Sequence, residues 1–333
     1  MKRSCSGFLG WVRQSAKPVL TAIATCLVAI LISCSQQPQA PMRVGAVIWP
    51  GYEPLFLARD LGYYPDQLIK LRDYPSATEV TQALRNGDIE SAGLTMDEAL
   101  LLSETNPDIQ AVLVMDFSSG ADVVMARPEI STLQALKGHR IGVESSALGG
   151  YILTRVLEKA GLQLSDVQIV SLGVSEHEQA FKQGVVDAVV TFEPVRSNLL
   201  KLGAKILFDS SKIPGEVVDV LVTRRDLLKP HKATMEKLIQ GWFRALEYRK
   251  QHPEDADRRM ALREQVTPEQ FTESLKLIEI PDLQANLTLL GQTDASLLKR
   301  TEQLGKFMIS KKLLKRLPSL EQLLNDEFVK SVE

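Results

Sequence analysis

The feature that most constrains the fold is a regular alternation of short apolar segments and helical patterns through residues 42–226. Alternation of this kind predicts βα units and mostly parallel sheets. From Lys229 onward the pattern is helical, and the last helix is expected over residues 319–332. The strand candidates are residues 43–48, 68–72, 89–94, 111–117, 123–126, 140–143, 168–171, 187–190, 205–208 and 217–223. We therefore predict an α/β fold with a helical C-terminal region.

An internal echo indicates two similar halves. Residues 83–91, ALRNGDIES, resemble residues 180–188, AFKQGVVDA. Both segments are typical of a helix end, a glycine cap and a strand that begins with an acid, and the two strands lead to Thr95 and Thr191. Because open α/β sheets bind ligands beyond the carboxyl ends of their strands, two such lobes facing each other would form a cleft.

The N-terminus predicts export. Four basic residues precede an apolar run over residues 19–32, which at 14 residues is short of the roughly 20 that a membrane-spanning helix needs. A basic start and a short apolar run are typical of a secretory signal peptide, expected over residues 1–33, with a short membrane anchor as the alternative. Leu31-Ile32-Ser33-Cys34 resembles the lipobox of bacterial lipoproteins, in which the cysteine is acylated and becomes the first mature residue. Residues 34–41 are polar and contain proline, so we expect a flexible tether.

Composition excludes several classes of protein. Of the three cysteines, Cys5 and Cys26 would leave with the signal and Cys34 would be acylated, which excludes a cysteine nucleophile, a thiolate metal site and a disulfide scaffold. Without residues 1–33, 35 Lys and Arg face 41 Asp and Glu, so no nucleic-acid partner is expected. The four histidines lack metal-ligand spacing, and no P-loop, nucleophile elbow or dinucleotide fingerprint is present. We expect no metal, no cofactor and no catalysis.

Four segments resemble a known family. They are residues 49–58 (WPGYEPLFLA), 87–92 (GDIESA), 136–138 (LKG) and 184–194 (GVVDAVVTFEP). In this order they resemble the periplasmic substrate-binding proteins of the nitrate/sulfonate/taurine class of ABC importers, some of which bind thiamine-pyrimidine precursors. The resemblance covers about residues 42–250. It implies a two-lobed type II periplasmic-binding-protein fold, with lobe 1 formed by residues 42–126 and 218–333 and lobe 2 by residues 127–217. Its two hinge strands are expected near residues 123–127 and 216–222.

The resemblance also implies a function. The expected protein is an extracytoplasmic monomer, tethered to the bacterial membrane through Cys34, in the periplasm or on the outer face of the cytoplasmic membrane. It would capture a small organic or oxyanion solute between its lobes and deliver it to the permease and ATPase of an ABC importer. Two alternatives stay open, a membrane-tethered sensor without transport and an enzyme similar to thiamine-pyrimidine synthases. Those synthases depend on a cysteine-rich segment, which this chain lacks.

The resemblance places the ligand on loops at strand ends. The aromatic side chains there could stack on a flat ligand or pack under a loop, Gly51 would let the backbone approach a ligand, and the helix start after residue 146 could bind an anion or be an ordinary cap. Acids outnumber bases in these loops, which suits an amine, amidine or hydroxyl-bearing solute such as an aminopyrimidine better than nitrate or a sulfonate; the acids could instead satisfy backbone donors. The predicted ligand-binding residues are Trp49, Gly51, Tyr52, Ser76, Thr95, Ser118, Ser119, Asp122, Ser145, Ser146, Gly149, Phe192, Glu193 and Asp219.

Overall fold

A computed structural model of the chain describes residues 40–144, 147–291 and 296–332. The expectations for the signal peptide, for Cys34 and most of its tether, and for Ser145 and Ser146 lie outside these residues. Within the described ranges, no helix has the length and apolar character needed to cross a membrane.

The strands form two sheets. The larger sheet contains β1 (Met42–Ala46), β2 (Ile69–Asp73), β3 (Ser91–Thr95), β4 (Ile109–Ser118), β10 (Val218–Arg224) and β11 (Ile278–Glu279), in the order β11-β4-β10-β3-β1-β2. The smaller sheet contains β5 (Val123–Ala126), β6 (Arg140–Val143), β7 (Gln168–Ser171), β8 (Ala188–Thr191) and β9 (Lys205–Asp209), in the order β7-β6-β8-β5-β9. The strand candidates of the sequence correspond to these strands to within two residues at either end, apart from the two-residue β11, which was not foreseen.

The prediction of mostly parallel sheets is wrong in part, because both sheets are mixed. Strand β1 runs parallel to β2 and β3, and β6 runs parallel to β7 and β8. The antiparallel pairs involve β10 with β3 and β4, β11 with β4, and β5 with β8 and β9. Four of these strands, β4, β5, β9 and β10, flank the two crossings between the sheets. Parallel neighbours need a crossover connection, usually a helix, whereas at the crossings the chain passes directly from one sheet to the other.

The helices cover the sheets. Their bounds are α1 (Glu53–Asp60), α2 (Ala77–Asn86), α3 (Met96–Thr105), α4 (Ala147–Ala160), α5 (Val174–Lys182), α6 (Val195–Lys201), α7 (Arg225–Gln251), α8 (Pro253–Glu264), α9 (Pro268–Leu275), α10 (Leu283–Leu290), α11 (Ser296–Ser310), α12 (Leu320–Leu323) and α13 (Glu327–Lys330). Local sequence explains several starts. The Ser76 hydroxyl accepts a hydrogen bond from the Glu79 N–H at 3.2 Å and begins α2, and Thr267 does the same for α9, where Pro268 takes the first helical position.

One helix prediction is wrong. Residues 319–332 form two short helices, α12 and α13, instead of one long helix. Between them the chain pairs with β4: Leu324 forms a bridge with Ala111, and the Asn325 N–H donates to the Ala111 carbonyl at 3.0 Å. These backbone bonds to the sheet replace the bonds that a continuous helix would make.

The internal echo has a structural counterpart. Glu90, in the first segment, binds the guanidinium and the backbone N–H of Arg43 at the start of β1. Asp187, in the second segment, binds the guanidinium and the backbone N–H of Arg140 at the start of β6 in the same two ways. Both pairs are separated by 47 residues, and in both segments a glycine with positive φ ends the preceding helical turn. The two halves therefore share one local design at the amino ends of their strands.

The chain crosses between the sheets twice, through residues 119–122 and residues 210–217. Strand β5 lies in the smaller sheet, so in terms of sheet membership the first crossing precedes Val123, whereas we expected residues 123–126 to belong to lobe 1. The division into lobes itself stays a prediction. Ser210, fully buried, links the two crossings, because its hydroxyl accepts the Gly120 N–H at 2.7 Å and lies 2.8 Å from the Ser118 hydroxyl.

Candidate ligand-binding cleft

A cavity lies where the carboxyl ends of strands from both sheets meet. Its open space is about 580 Å³, part of which is continuous with solvent. One residue of the wall, Asp122, belongs to the first crossing, and the others belong to the two sheets and their helices. From the larger sheet and its helices come Val47, Trp49, Tyr52, Ala77, Gly93, Thr95, Glu98 and Asp219; from the smaller sheet and its helices come Glu144, Leu148, Gly149, Ile152, His177, Val190, Thr191 and Phe192. This is the position in which open α/β sheets bind ligands.

Seven of the predicted binding residues line this cavity. They are Trp49, Tyr52, Thr95, Asp122, Gly149, Phe192 and Asp219. Their proximity in space is what the sequence led us to expect, since each lies at or beyond the end of a strand or on or beside one of the crossing segments. That they contact a ligand stays a prediction.

The floor of the cavity near Trp49 is tightly constrained. The Trp49 indole N–H donates to Asp116 Oδ2 at 2.9 Å, and both side chains are buried. A Cβ added to Gly51 would lie 1.8 Å from that carboxylate oxygen and 2.5 Å from the indole nitrogen. Gly51 is therefore required by the Trp49–Asp116 contact, and it does not itself line the cavity, although we expected it to approach a ligand.

Tyr52 and Asp219 form the adjoining part of the wall. The Tyr52 hydroxyl donates to Asp219 Oδ1, and the tyrosine ring lies against Gly93, where an added Cβ would be 3.1 Å from the ring. Asp219 on β10 stands directly opposite Asp116 on β4 in the antiparallel register. Two carboxyl groups facing each other across a strand pair repel when both are charged. Burial, together with this repulsion, raises the pKa of Asp219 well above its usual range.

The other buried acids of this region are shifted in the same direction. Burial raises the pKa of Asp122 and of Asp116 to about 7, and in each case the charge of a neighbouring carboxylate adds to the rise. Burial and the charge of Asp97 raise the pKa of Glu98 to about 8, although Glu98 also accepts the Thr95 N–H at 3.0 Å. These carboxyl groups therefore hold protons near neutral pH in the unliganded cleft.

Two contacts connect the opposite walls. The Glu144 carboxylate, beyond β6, accepts hydrogen bonds from the Thr78 N–H at 2.8 Å and from its hydroxyl at 2.9 Å. The Trp49 and Phe192 rings meet edge to face, with centroids 5.6 Å apart and planes at 88°. Both contacts join an element of the larger sheet's side to one of the smaller sheet's side, so the structure describes the cleft with its walls in contact.

His177 supplies the cavity with a neutral imidazole. Its Nδ1 lies 3.1 Å from the Thr191 hydroxyl, and its Nε2 has no hydrogen-bond partner although the residue is buried. Burial lowers the pKa of His177 to about 4, so the ring carries no charge at neutral pH. Among the described residues, no group of three or more His, Cys, Asp or Glu side chains is arranged to hold a metal ion.

Four further predicted residues do not line the cavity. Ser76 caps α2, Ser118 binds Ser210 at the crossings, and Ser119 is exposed with its N–H on the Leu277 carbonyl. Glu193 is buried and accepts hydrogen bonds from Arg196 Nη1 at 2.9 Å and from both the N–H and the hydroxyl of Ser197. For Glu193 the interpretation that an acid satisfies local donors therefore matches these contacts.

The predicted ligand-binding residues did not include four polar residues of the wall: Glu98, Glu144, His177 and Thr191. Glu98 is the third residue of a capping pattern after Thr95, and His177 belongs to a similar pattern at the start of α5. A capping role explains such residues locally, which concealed their position at the cavity. The available signal was that each of these helices begins within three residues of the end of a strand.

The comparisons with known proteins identify the family. The model of the family described as NMT1/THI5 like matches residues 49–256, which is more than half of the chain. This chain belongs to the NMT1/THI5-like family. The matched range includes nearly every residue of the cavity wall, from Trp49 to Asp219. The predicted resemblance to sulfonate- and taurine-binding proteins is confirmed by the relatives that follow.

Two relatives come from Escherichia coli (strain K12). A putative aliphatic sulfonates-binding protein is 28% identical over 153 residues, which are 45% of this chain and 48% of the relative. A taurine-binding periplasmic protein is 23% identical over 173 residues, 51% of this chain and 54% of the relative. The aligned part thus spans about half the length of these curated relatives.

Solved structures share the whole fold. The alkanesulfonate-binding protein SsuA from Xanthomonas axonopodis pv. citri, bound to MOPS, matches with a TM-score of 0.71 at 18% identity, covering 86% of this chain and 99% of that one. The desulfurization enzyme DSZB matches with a TM-score of 0.65 at 18% identity, covering 88% and 99%. The predicted periplasmic-binding-protein fold is confirmed. Because a binding protein and an enzyme both have this fold, the fold leaves the activity open.

Proposed function

We propose that this protein captures a small solute in the cleft between its two sheets and presents it to the permease and ATPase of an ABC importer. The observation that carries the proposal is the cavity itself, whose wall is built from strand ends of both sheets and from a residue of the first crossing. A ligand that contacts both walls favours the closed arrangement by the difference between its affinities for the closed and open forms. The relatives are named as binding proteins of the same kind.

We further propose that the mature protein is extracytoplasmic and tethered to the membrane through Cys34, with residues 35–41 as the spacer. The apolar run and lipobox-like end of residues 19–34 support this part of the proposal. Acyl chains on Cys34 would keep the cleft close to a membrane-embedded importer without a membrane-spanning segment. The proposal includes no catalytic step, in keeping with the names of the two Escherichia coli relatives, both of which are binding proteins.

Filling the cavity tests the binding role. A thermal-shift panel of sulfonates, taurine, nitrate, pyrimidines and flavin-like compounds would identify solutes that stabilise the folded protein by mass action. Ala77 lines the cavity, so Ala77→Leu should crowd the ligand and weaken the binding of such a solute roughly tenfold or more, given that overpacking costs about 1–3 kcal/mol.

Ala233→Leu is the matched control, because Ala233 is exposed on α7 and does not line the cavity. It should leave the affinity unchanged. The proposed role is contradicted if no compound of the panel stabilises the folded protein, or if Ala77→Leu binds the stabilising compound as tightly as Ala233→Leu does.

A further inference from the structure

The cavity is rich in acidic side chains and lacks basic ones of the Lys or Arg type among the described residues. Four carboxyl groups, Glu98, Asp122, Glu144 and Asp219, line it. An anionic ligand would meet four acids without a counter-charge. A cationic ligand would supply the charge that is missing.

A second observation points to a ligand independently of this acidic set. Asp122 is 2% exposed and lines the cavity, yet its Oδ2 has no hydrogen-bond partner. His177 Nε2 is in the same situation, in a residue that is 1% exposed. A buried polar atom without a partner is unfavourable, so a ligand that donates a hydrogen bond to the Asp122 oxygen relieves that cost.

The rest of the wall is apolar and aromatic. Val47, Leu148, Ile152 and Val190 offer aliphatic surface, and the aromatic rings come from Trp49, Tyr52 and Phe192. Such a wall accepts an apolar body, and aromatic faces attract an organic cation further.

We propose that the cleft selects small organic cations, with an ammonium or amidinium group beside Asp122 and an apolar body against the aromatic wall. This inference rests on the proposed binding function and deepens it. It assigns this chain a ligand charge opposite to that of the sulfonates in the names of its relatives.

Binding of a cation should be coupled to the release of protons from the acidic side chains. In the unliganded cleft burial raises the pKa of Asp122 to about 7 and that of Glu98 to about 8, so both groups are largely protonated below those values. A bound cation stabilises the charged carboxylates and releases protons, so cation affinity should rise with pH between about 6 and 8. An anion held by protonated carboxyl groups would show the opposite trend.

The surroundings of these two groups are themselves acidic. Asp122 is near Asp97 and Glu193, and Glu98 is near Asp97 and Glu144. Asp219 is near both groups and near Asp116, and its Oδ1 accepts a hydrogen bond from the Tyr52 hydroxyl. Within the described residues, Glu193 is the member of this set with a cationic partner, Arg196. The remaining titratable ring of the cavity, His177, is neutral in this pH range.

Three matched pairs of probes test the inference in the purified chain. They are benzylammonium with phenylmethanesulfonate, benzamidinium with benzoate, and choline with isethionate. Calorimetry at pH 6 and pH 8, in buffers of different ionisation enthalpy, measures affinity and proton release together. We expect at least one cation to bind more tightly than its anionic partner, and its affinity to rise up to tenfold per pH unit for each proton released.

Asp122→Asn should weaken the binding of that cation about 5- to 150-fold at pH 8 and reduce the proton release. Asp66→Asn, the same change at an exposed position, should have no effect. The wild-type pH dependence stands as a test even if the Asp122 variant folds poorly.

Two results would overturn the inference: no cation binds more tightly than its anionic partner, or the affinity for the preferred cation does not rise with pH. If an anion binds more tightly at low pH and Ala77→Leu weakens its binding, only the preference for cations is overturned. The proposed binding function would then stand, with an anionic ligand.

Discussion

At the scale of single residues, the cleft concentrates carboxyl groups that are buried and close together, and no Lys or Arg is among the described residues that line it. Folding places Glu98 (5% exposed) and Asp122 where the charged form is disfavoured. Their pKa values in the folded state lie above those of an unfolded chain. Each group therefore contributes stability that is fully present below its unfolded pKa and is lost as the pH rises through its folded pKa.

Glu98→Gln should remove part of this pH dependence. At pH 5 the wild-type side chain is protonated, so wild type and variant should have similar free energies of unfolding. At pH 9 the variant should be more stable by up to a few kcal/mol, since each unit of pKa shift corresponds to about 1.4 kcal/mol. Urea unfolding of the unliganded protein at several pH values measures the difference.

Glu129→Gln, at an exposed position of the smaller sheet's side, is the control and should show no such trend with pH. A Glu98→Gln variant that is no more stable than wild type at pH 9 would mean that the Glu98 carboxylate is stabilised in the fold, in conflict with its position beside Asp97.

The residues of the site were only partly accessible to sequence reasoning. Trp49, Tyr52 and Asp219 were found because they follow strand ends or lie on a crossing segment, and strand ends share one edge of a sheet. Glu144 was not selected because its role depends on Thr78, which lies 66 residues earlier in the chain. The unpartnered oxygen of Asp122 could not be foreseen, because it depends on which atoms surround it in the folded protein.

At the scale of elements, the two crossings between the sheets are connected to each other by hydrogen bonds of Ser210. The Ser210 hydroxyl receives the Gly120 N–H and contacts the Ser118 hydroxyl, while the Ser210 N–H donates to the Asp122 carbonyl at 2.9 Å. The outgoing and returning segments thus form one hydrogen-bonded unit, and Asp122 of that unit lines the cavity.

Ser210→Ala should destabilise the fold by about 1–3 kcal/mol, because it leaves the buried Gly120 N–H without an acceptor. The free energy of unfolding from urea titration measures the cost. Ser274→Ala is the matched control, since the buried Ser274 hydroxyl only donates to the Phe271 carbonyl one helical turn away. If both variants lose the same free energy, Ser210 does not have the linking role described here.

The elements themselves were predictable where local signals are strong. The bounds of β6 and β7 agree with the strand candidates of the sequence, because short apolar segments mark both strands. The antiparallel pairs of β10 and the break between α12 and α13 were not predictable, since both result from backbone bonds to β4, at a distance in the chain.

At the scale of the whole molecule, two α/β halves with the same Arg–acid pair at their bases face each other across one cavity. The family match covers both halves, from residue 49 to residue 256. What a cleft of this kind contributes to a cell depends on where the molecule is held. The sequence before residue 40 is therefore as important to the proposed role as the fold that follows it.

Cys34→Ala should release the protein from the membrane fraction or leave its signal uncleaved, because the residue that would be acylated is removed. Cell fractionation and immunoblotting measure the distribution. Cys26→Ala, within the apolar run, should leave the protein processed and membrane-bound. A Cys34→Ala protein that is processed and still found in the membrane would exclude acylation at this residue as the anchor.

The contact between Gly51, Trp49 and Asp116 has a consequence for how such a protein can change its ligand. Any side chain at position 51 would place its Cβ 1.8 Å from the Asp116 carboxylate oxygen and 2.5 Å from the Trp49 indole nitrogen, so both of these groups would have to move. The hydrogen bond between them would then be lost or rearranged. Reshaping this corner for another ligand would therefore have to alter the glycine together with its two neighbours.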